Sequence, residues 1–242
     1  MSDKKRLFEN FLSLATLQGL NYILPLLTLP YLVRVLGPDN YGLVAFAQSF
    51  IQFFIILVDY GFNLSATNQI AVYRDNKKRV QSIFSTVMTI KLFFMLISFF
   101  ILCLLILLFP KFQNHKLVYI VTFGMVIGNV LFPIWFFQGI EKMRYITILN
   151  IIAKTIFTIG IFLLVKQRSD ILFVPLLNSL GTILIGFISL GMIKRTFGVN
   201  FVYPSWNDIK YQLKEGWHVF ISTVAISLYT VIHTFILGLF TK

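Results

Sequence analysis

Long apolar runs broken by short polar stretches set the rhythm of this chain. The runs cover roughly residues 11–34, 41–64, 83–109, 117–139, 146–165, 171–193 and 217–240. A helix needs about 20 predominantly apolar residues to cross a bilayer, and each run meets that length. Inside the runs, the few polar residues recur three, four or seven positions apart, which is the spacing of one helix face. The pattern predicts an all-α, polytopic integral membrane protein with about seven transmembrane helices.

The breaks have their own chemistry. Gly37-Pro38-Asp39-Asn40 is a turn by composition. Pro110 stops the third run, and Pro133 predicts a kink near the end of the fourth. The stretch from residue 194 to 216 is the longest connection, and its Asn207 to Glu215 part is expected to form a short interfacial helix with Ile209 and Leu213 on one side. Lys4, Lys5 and Arg6 precede the first run like the basic start of a signal peptide. That run is too long for a signal core and lacks a small-residue cleavage site, so it reads as a retained helix.

Composition sharpens this picture. Hydrophobic residues make up 57% of the chain and charged residues 12%, more apolar surface than a soluble domain of this length can bury. The net charge of +12 would suggest nucleic acid in a soluble protein. Here the basic residues sit between the apolar runs, and no separate basic domain exists, so they report orientation. Alternate connections carry 13 against 6 Lys and Arg, which predicts a cytoplasmic amino terminus. Cys103 is the single cysteine, so there is no disulfide framework. No phosphate loop, HExxH or Cys/His metal spacing occurs, and neither catalysis, a cofactor nor a metal is expected.

Polar residues deep in the runs are the candidate chemistry. Lys154 lies about eight residues into the fifth run, or about 12 Å along the axis. A lysine at that depth costs about 2.5–3.5 kcal/mol to insert, so it either faces a watery cavity or a carboxylate, or snorkels to the interface. Thr147, Asn150 and Thr158 share its face. Gln48, Gln52 and Asp59 form one stripe on the second helix, which either lines water or, at Asp59, sits at the interface. Lys91 either snorkels or turns inward toward Asp59. Gln18, Asn21 and Thr28 share a face with Pro25 on a first helix that Pro25 and Pro30 bend, passively or to line a cavity. Asn178, Thr182 and Ser189 form a milder stripe on the sixth helix, where Gly181 and Gly186 permit close approach. His233 is read as a packing residue rather than a proton relay.

Three stretches carry a family resemblance: PYLVRVLGPDNYG at Pro30 to Gly42, DYGFNLSATNQIA at Asp59 to Ala71, and the weaker KEGWHVFIS at Lys214 to Ser222. They resemble the O-antigen (Wzx-type) branch of the multidrug/oligosaccharidyl-lipid/polysaccharide exporter superfamily. The resemblance implies twelve helices in two six-helix lobes. It also implies a cationic central cavity, and movement of an undecaprenyl-diphosphate-linked oligosaccharide across the bacterial inner membrane by alternating access. Residues 1–193 would then be the amino-terminal lobe, 194–216 a cytoplasmic connection, and 217–242 the start of an incomplete second lobe, as in a truncated form. Lys154, Asn150, Thr158, Thr147, Lys91, Asp59, Gln52, Gln48 and Asn21 are the candidate cavity-lining residues. Expected partners are the lipid-linked oligosaccharide, the bilayer and polysaccharide assembly proteins.

Other classes remain open on sequence alone. A multidrug exporter of the same fold would favour acidic cavity residues. A membrane glycosyltransferase or polymerase would want a large extramembrane loop with clustered acidic or Arg residues. A non-transporting scaffold or fragment would need neither.

Overall fold

Gly37 and Pro38 show how the breaks become architecture. Gly37 has φ +81°, and Pro38 opens the next helix, where its missing N–H costs nothing. The result is a tight hairpin between α1 (Asp3–Leu36) and α2 (Pro38–Asp59). The computed structural model describes the backbone of residues 3–240 and the side chains of residues 11–227. After α2 come α3 (Phe62–Val72), α4 (Lys77–Leu108), the short α5 (Pro110–Gln113), α6 (Lys116–Leu131), α7 (Ile134–Gly139), α8 (Met143–Leu164), α9 (Phe173–Thr196) and α10 (Trp206–Phe240). A 3-10 turn at Arg168–Leu172 leads into α9.

The protein is an all-α polytopic membrane protein. Among the described residues six segments are long and apolar enough to cross a membrane: Phe11–Leu36, Pro38–Val72, Lys77–Leu108, Lys116–Gly139, Met143–Leu164 and Arg168–Thr196. Much of the apolar part of α10 falls outside the residues whose side chains are described, including Thr230 and His233.

Two breaks follow from local sequence. Between α2 and α3, Tyr60 and Gly61 both take positive φ, 44° and 76°. The polar stretch from Asn63 to Gln69 therefore sits on a separate helix set off by this kink. Between α6 and α7, Phe132-Pro133 interrupts the fourth span where the prolyl nitrogen cannot donate. By contrast, α1 continues as helix through both Pro25 and Pro30.

One expected break is missing. The Asn207 to Glu215 segment does not form a helix of its own. It runs through Gly216 into the apolar stretch as part of α10, and the preceding connection is only residues 197–205. Ser205 starts this helix by accepting from the Asp208 amide at 3.1 Å. A single helical Gly costs only about 1 kcal/mol, too little to end a helix otherwise favoured.

Packing places α6 at the centre of one layer, against α2, α4 and α9, while α8 bridges α9 to α1. The α6–α9 seam is close because small residues face it. A Cβ on Gly128 would lie 2.5 Å from the Thr182 Cβ, and one on Gly186 would lie 2.5 Å from the Leu131 Cβ. The Ser179 hydroxyl donates to the Val121 carbonyl at 2.7 Å, and the Ser189 hydroxyl to the Leu131 carbonyl at 3.1 Å. Ser189 is thus spent on helix packing. The largest apolar core gathers around Trp135, Phe136 and Phe137 of α7, all fully buried.

Candidate functional site

Lys154 is eleven residues after the first residue of α8, about 16 Å along a 22-residue helix. The helix begins at Met143, three residues earlier than the apolar run, which puts the lysine at its middle. It lines a cavity of about 270 Å³ between α1, α8 and α9. Pro25 and Thr28 line it from α1, Asn150 and Thr158 from α8, and Asn178 and Thr182 from α9. Leu24, Ala153, Phe157, Gly181 and Ile185 complete the wall. Among the described residues the wall contains no Asp or Glu, and Lys154 is its charged residue.

The helical spacing explains this convergence. Asn150, Lys154 and Thr158 are four apart on α8, and Asn178 and Thr182 are four apart on α9. The Asn150 amide donates to the Ile146 carbonyl at 2.8 Å. The Thr182 hydroxyl caps the Asn178 and Ser179 carbonyls, and the Thr28 hydroxyl donates to the Leu24 carbonyl at 3.1 Å. The Thr158 hydroxyl is buried and has no hydrogen-bond partner among the described residues. Lys154 itself donates to the side-chain oxygen of Asn21 on α1. Among the described residues it has no ion pair.

The other candidates go elsewhere. Lys91 is 1% exposed and does not snorkel. Its ammonium donates to the Asp59 carboxylate at 2.7 Å and to the Asn129 side chain at 3.1 Å. Asn63 donates to the other Asp59 oxygen at 3.0 Å. This network ties α2, α3, α4 and α6 together, and neither Lys91 nor Asp59 lines the Lys154 cavity. Thr147 is buried and donates to the Ser13 carbonyl at 3.0 Å, fastening α8 to α1. Gln48 and Gln52 are half-buried on α2 and are also absent from that cavity wall.

The structure therefore unites Lys154, Asn150 and Thr158, with Asn21 alongside, and separates the remaining five. It adds Thr28, Asn178 and Thr182 to the wall. Their helical stripes were visible in the sequence, but which helices met was not. The arrangement can hold an anionic group against an ammonium, with hydroxyls and amides around it. No group of His, Cys, Asp and Glu suited to a metal occurs among the described residues.

A family model described as "Polysaccharide biosynthesis protein" matches residues 7–242. The chain belongs to the polysaccharide biosynthesis protein family. Two relatives, one from Escherichia coli (strain K12) and one from Shigella dysenteriae, both carry the name "Putative O-antigen transporter". The first is 38% identical over 237 residues, covering 98% of this chain and 57% of the relative. The second is 31% identical over 234 residues, covering 96% and 58%. The chain thus spans somewhat more than half the length of these family members. No solved structure matches it.

Proposed function

We propose that this chain supplies the cationic cavity of a flippase that moves undecaprenyl-diphosphate-linked oligosaccharide across the bacterial inner membrane. The repeat unit is that of O-antigen or a related polysaccharide, the mode is alternating access, and the amino terminus is cytoplasmic. The observation that carries this reading is Lys154, placed mid-helix on a cavity whose wall has no carboxylate among the described residues. Two unit charges 4 Å apart interact by about 4 kcal/mol at an effective dielectric of 20, comparable with the cost of placing the lysine there. A diphosphate thus offsets that cost while it is bound. The amides and hydroxyls of Asn150, Asn178 and Thr158 suit sugar hydroxyls or phosphate oxygens.

A multidrug exporter of the same fold is the rival. An organic cation would want a carboxylate in the wall, and Asp59 is engaged by Lys91 away from it. The transport step needs no covalent chemistry, only a charge well and a path. To separate the two readings, a strain lacking its own flippase is supplied with the transporter and scored for surface polysaccharide and for resistance to organic cations. Restored polysaccharide without added resistance is the expected result. Resistance without polysaccharide would reject the flippase reading.

A further inference from the structure

Lys91 and Lys154 both lie away from the ends of their membrane spans, and the protein treats them oppositely. Lys91 is fully buried, and a carboxylate and an amide occupy its ammonium. Its charge is cancelled by Asp59 within 2.7 Å. Lys154 meets a side chain of nearly the same shape, the amide of Asn21, which carries no charge. The two contacts differ chiefly in carboxylate against amide. A neutral oxygen satisfies one N–H of the ammonium and leaves its charge and two donors in place.

We infer that Asn21 is a neutral placeholder for the anion that Lys154 binds, and that its being an amide rather than a carboxylate keeps the cavity receptive. Asn21 is a positioning residue in this account. It holds the lysine across the α1–α8 interface while the cavity is empty and yields to a stronger acceptor. Phosphate oxygens are such acceptors, because their negative charge adds a Coulomb attraction to the ammonium that a neutral amide oxygen lacks. A carboxylate at position 21 would behave as Asp59 does toward Lys91 and fill the site from within. The Thr158 hydroxyl, buried and without a partner among the described residues, offers a further donor to the arriving group. The inference rests on the cavity accepting an anion, as proposed above, but not on that anion being carried across the membrane.

The test uses the full chain in detergent, with inorganic pyrophosphate as the probe and sodium chloride of equal ionic strength as the control. Binding is read by calorimetry and by the shift in melting temperature. The expected order is unusual. Asn21→Ala keeps parental affinity or tightens it, whereas the isosteric Asn21→Asp weakens it by about tenfold or more, as Lys154→Ala does. A merely structural role for Asn21 would give the opposite order, with the truncation worse than the isostere. Asn21→Ser serves as a second small neutral variant should Asn21→Ala unfold. Equal binding by parent and Asn21→Asp would overturn the inference, as would parental protein that ignores pyrophosphate. Surface polysaccharide is scored separately. If the binding order holds but no polysaccharide is restored, the flippase reading fails and this inference stands.

Discussion

Asp59 and Lys91 show what a single residue contributes here. Removing one member of a buried pair leaves an uncompensated charge, at a cost of about 3–5 kcal/mol. Asp59→Ala is therefore expected to lower the melting temperature and the amount of protein in the membrane. Asp59→Leu combined with Lys91→Met removes both charges and should recover most of the loss. Equal stability of the single and parental proteins, measured by thermal melting in detergent, would show that the pair is not structural. The sequence left snorkelling and pairing with Asp59 both open for Lys91. Only tertiary contact settles that choice, because Asn129 and Asn63 join from other helices. Lys154 was more legible, since depth in one helix is a property of one segment. Its neutral partner Asn21, on a helix 133 positions away, was on the stripe but could not be matched to it.

At the scale of elements, the stretches Asp59 to Ala71 and Lys214 to Ser222 meet. A Cβ on Gly216 would lie 2.7 Å from the Tyr60 carbonyl oxygen, and one on Gly61 would lie 2.8 Å from the Gly216 carbonyl oxygen. Tyr60 stacks on Phe220 with ring centroids 4.8 Å apart. Gln69 and Gln212 exchange amide hydrogen bonds of 3.2 and 2.6 Å, and Gln212 is 3% exposed. Gly216 therefore serves close packing of α10 on the α2–α3 kink. Gly216→Val should displace α10, at a cost of about 1–3 kcal/mol for overpacking. Cysteines at Gln69 and Gln212 should cross-link readily in membranes, and Gly216→Val should reduce that yield. Unchanged cross-linking would contradict the docking. The helices themselves were legible because apolar run length and proline placement are local signals. The continuity of α10 was not, because Gly216 reads as a boundary until its neighbour across the interface is known.

For the whole molecule, orientation and the cavity are the two claims that bind the rest together. The charge bias of 13 against 6 predicts that a reporter fused within residues 74–79 is cytoplasmic and one at 111–116 external. The reverse result would invert the membrane orientation. The fold class followed from composition and periodicity, since a chain this apolar has few ways to satisfy its backbone in lipid. The cavity was legible only in part, because its wall draws on three helices whose adjacency no single stripe reveals. The most direct measurement is surface polysaccharide in a flippase-null strain carrying the complete transporter, normalised to protein in the membrane. Lys154→Ala should accumulate normally, since removing a buried charge eases insertion, yet lose most polysaccharide, while Lys154→Arg keeps part of it. Complementation by Lys154→Ala equal to the parent would contradict the cationic cavity.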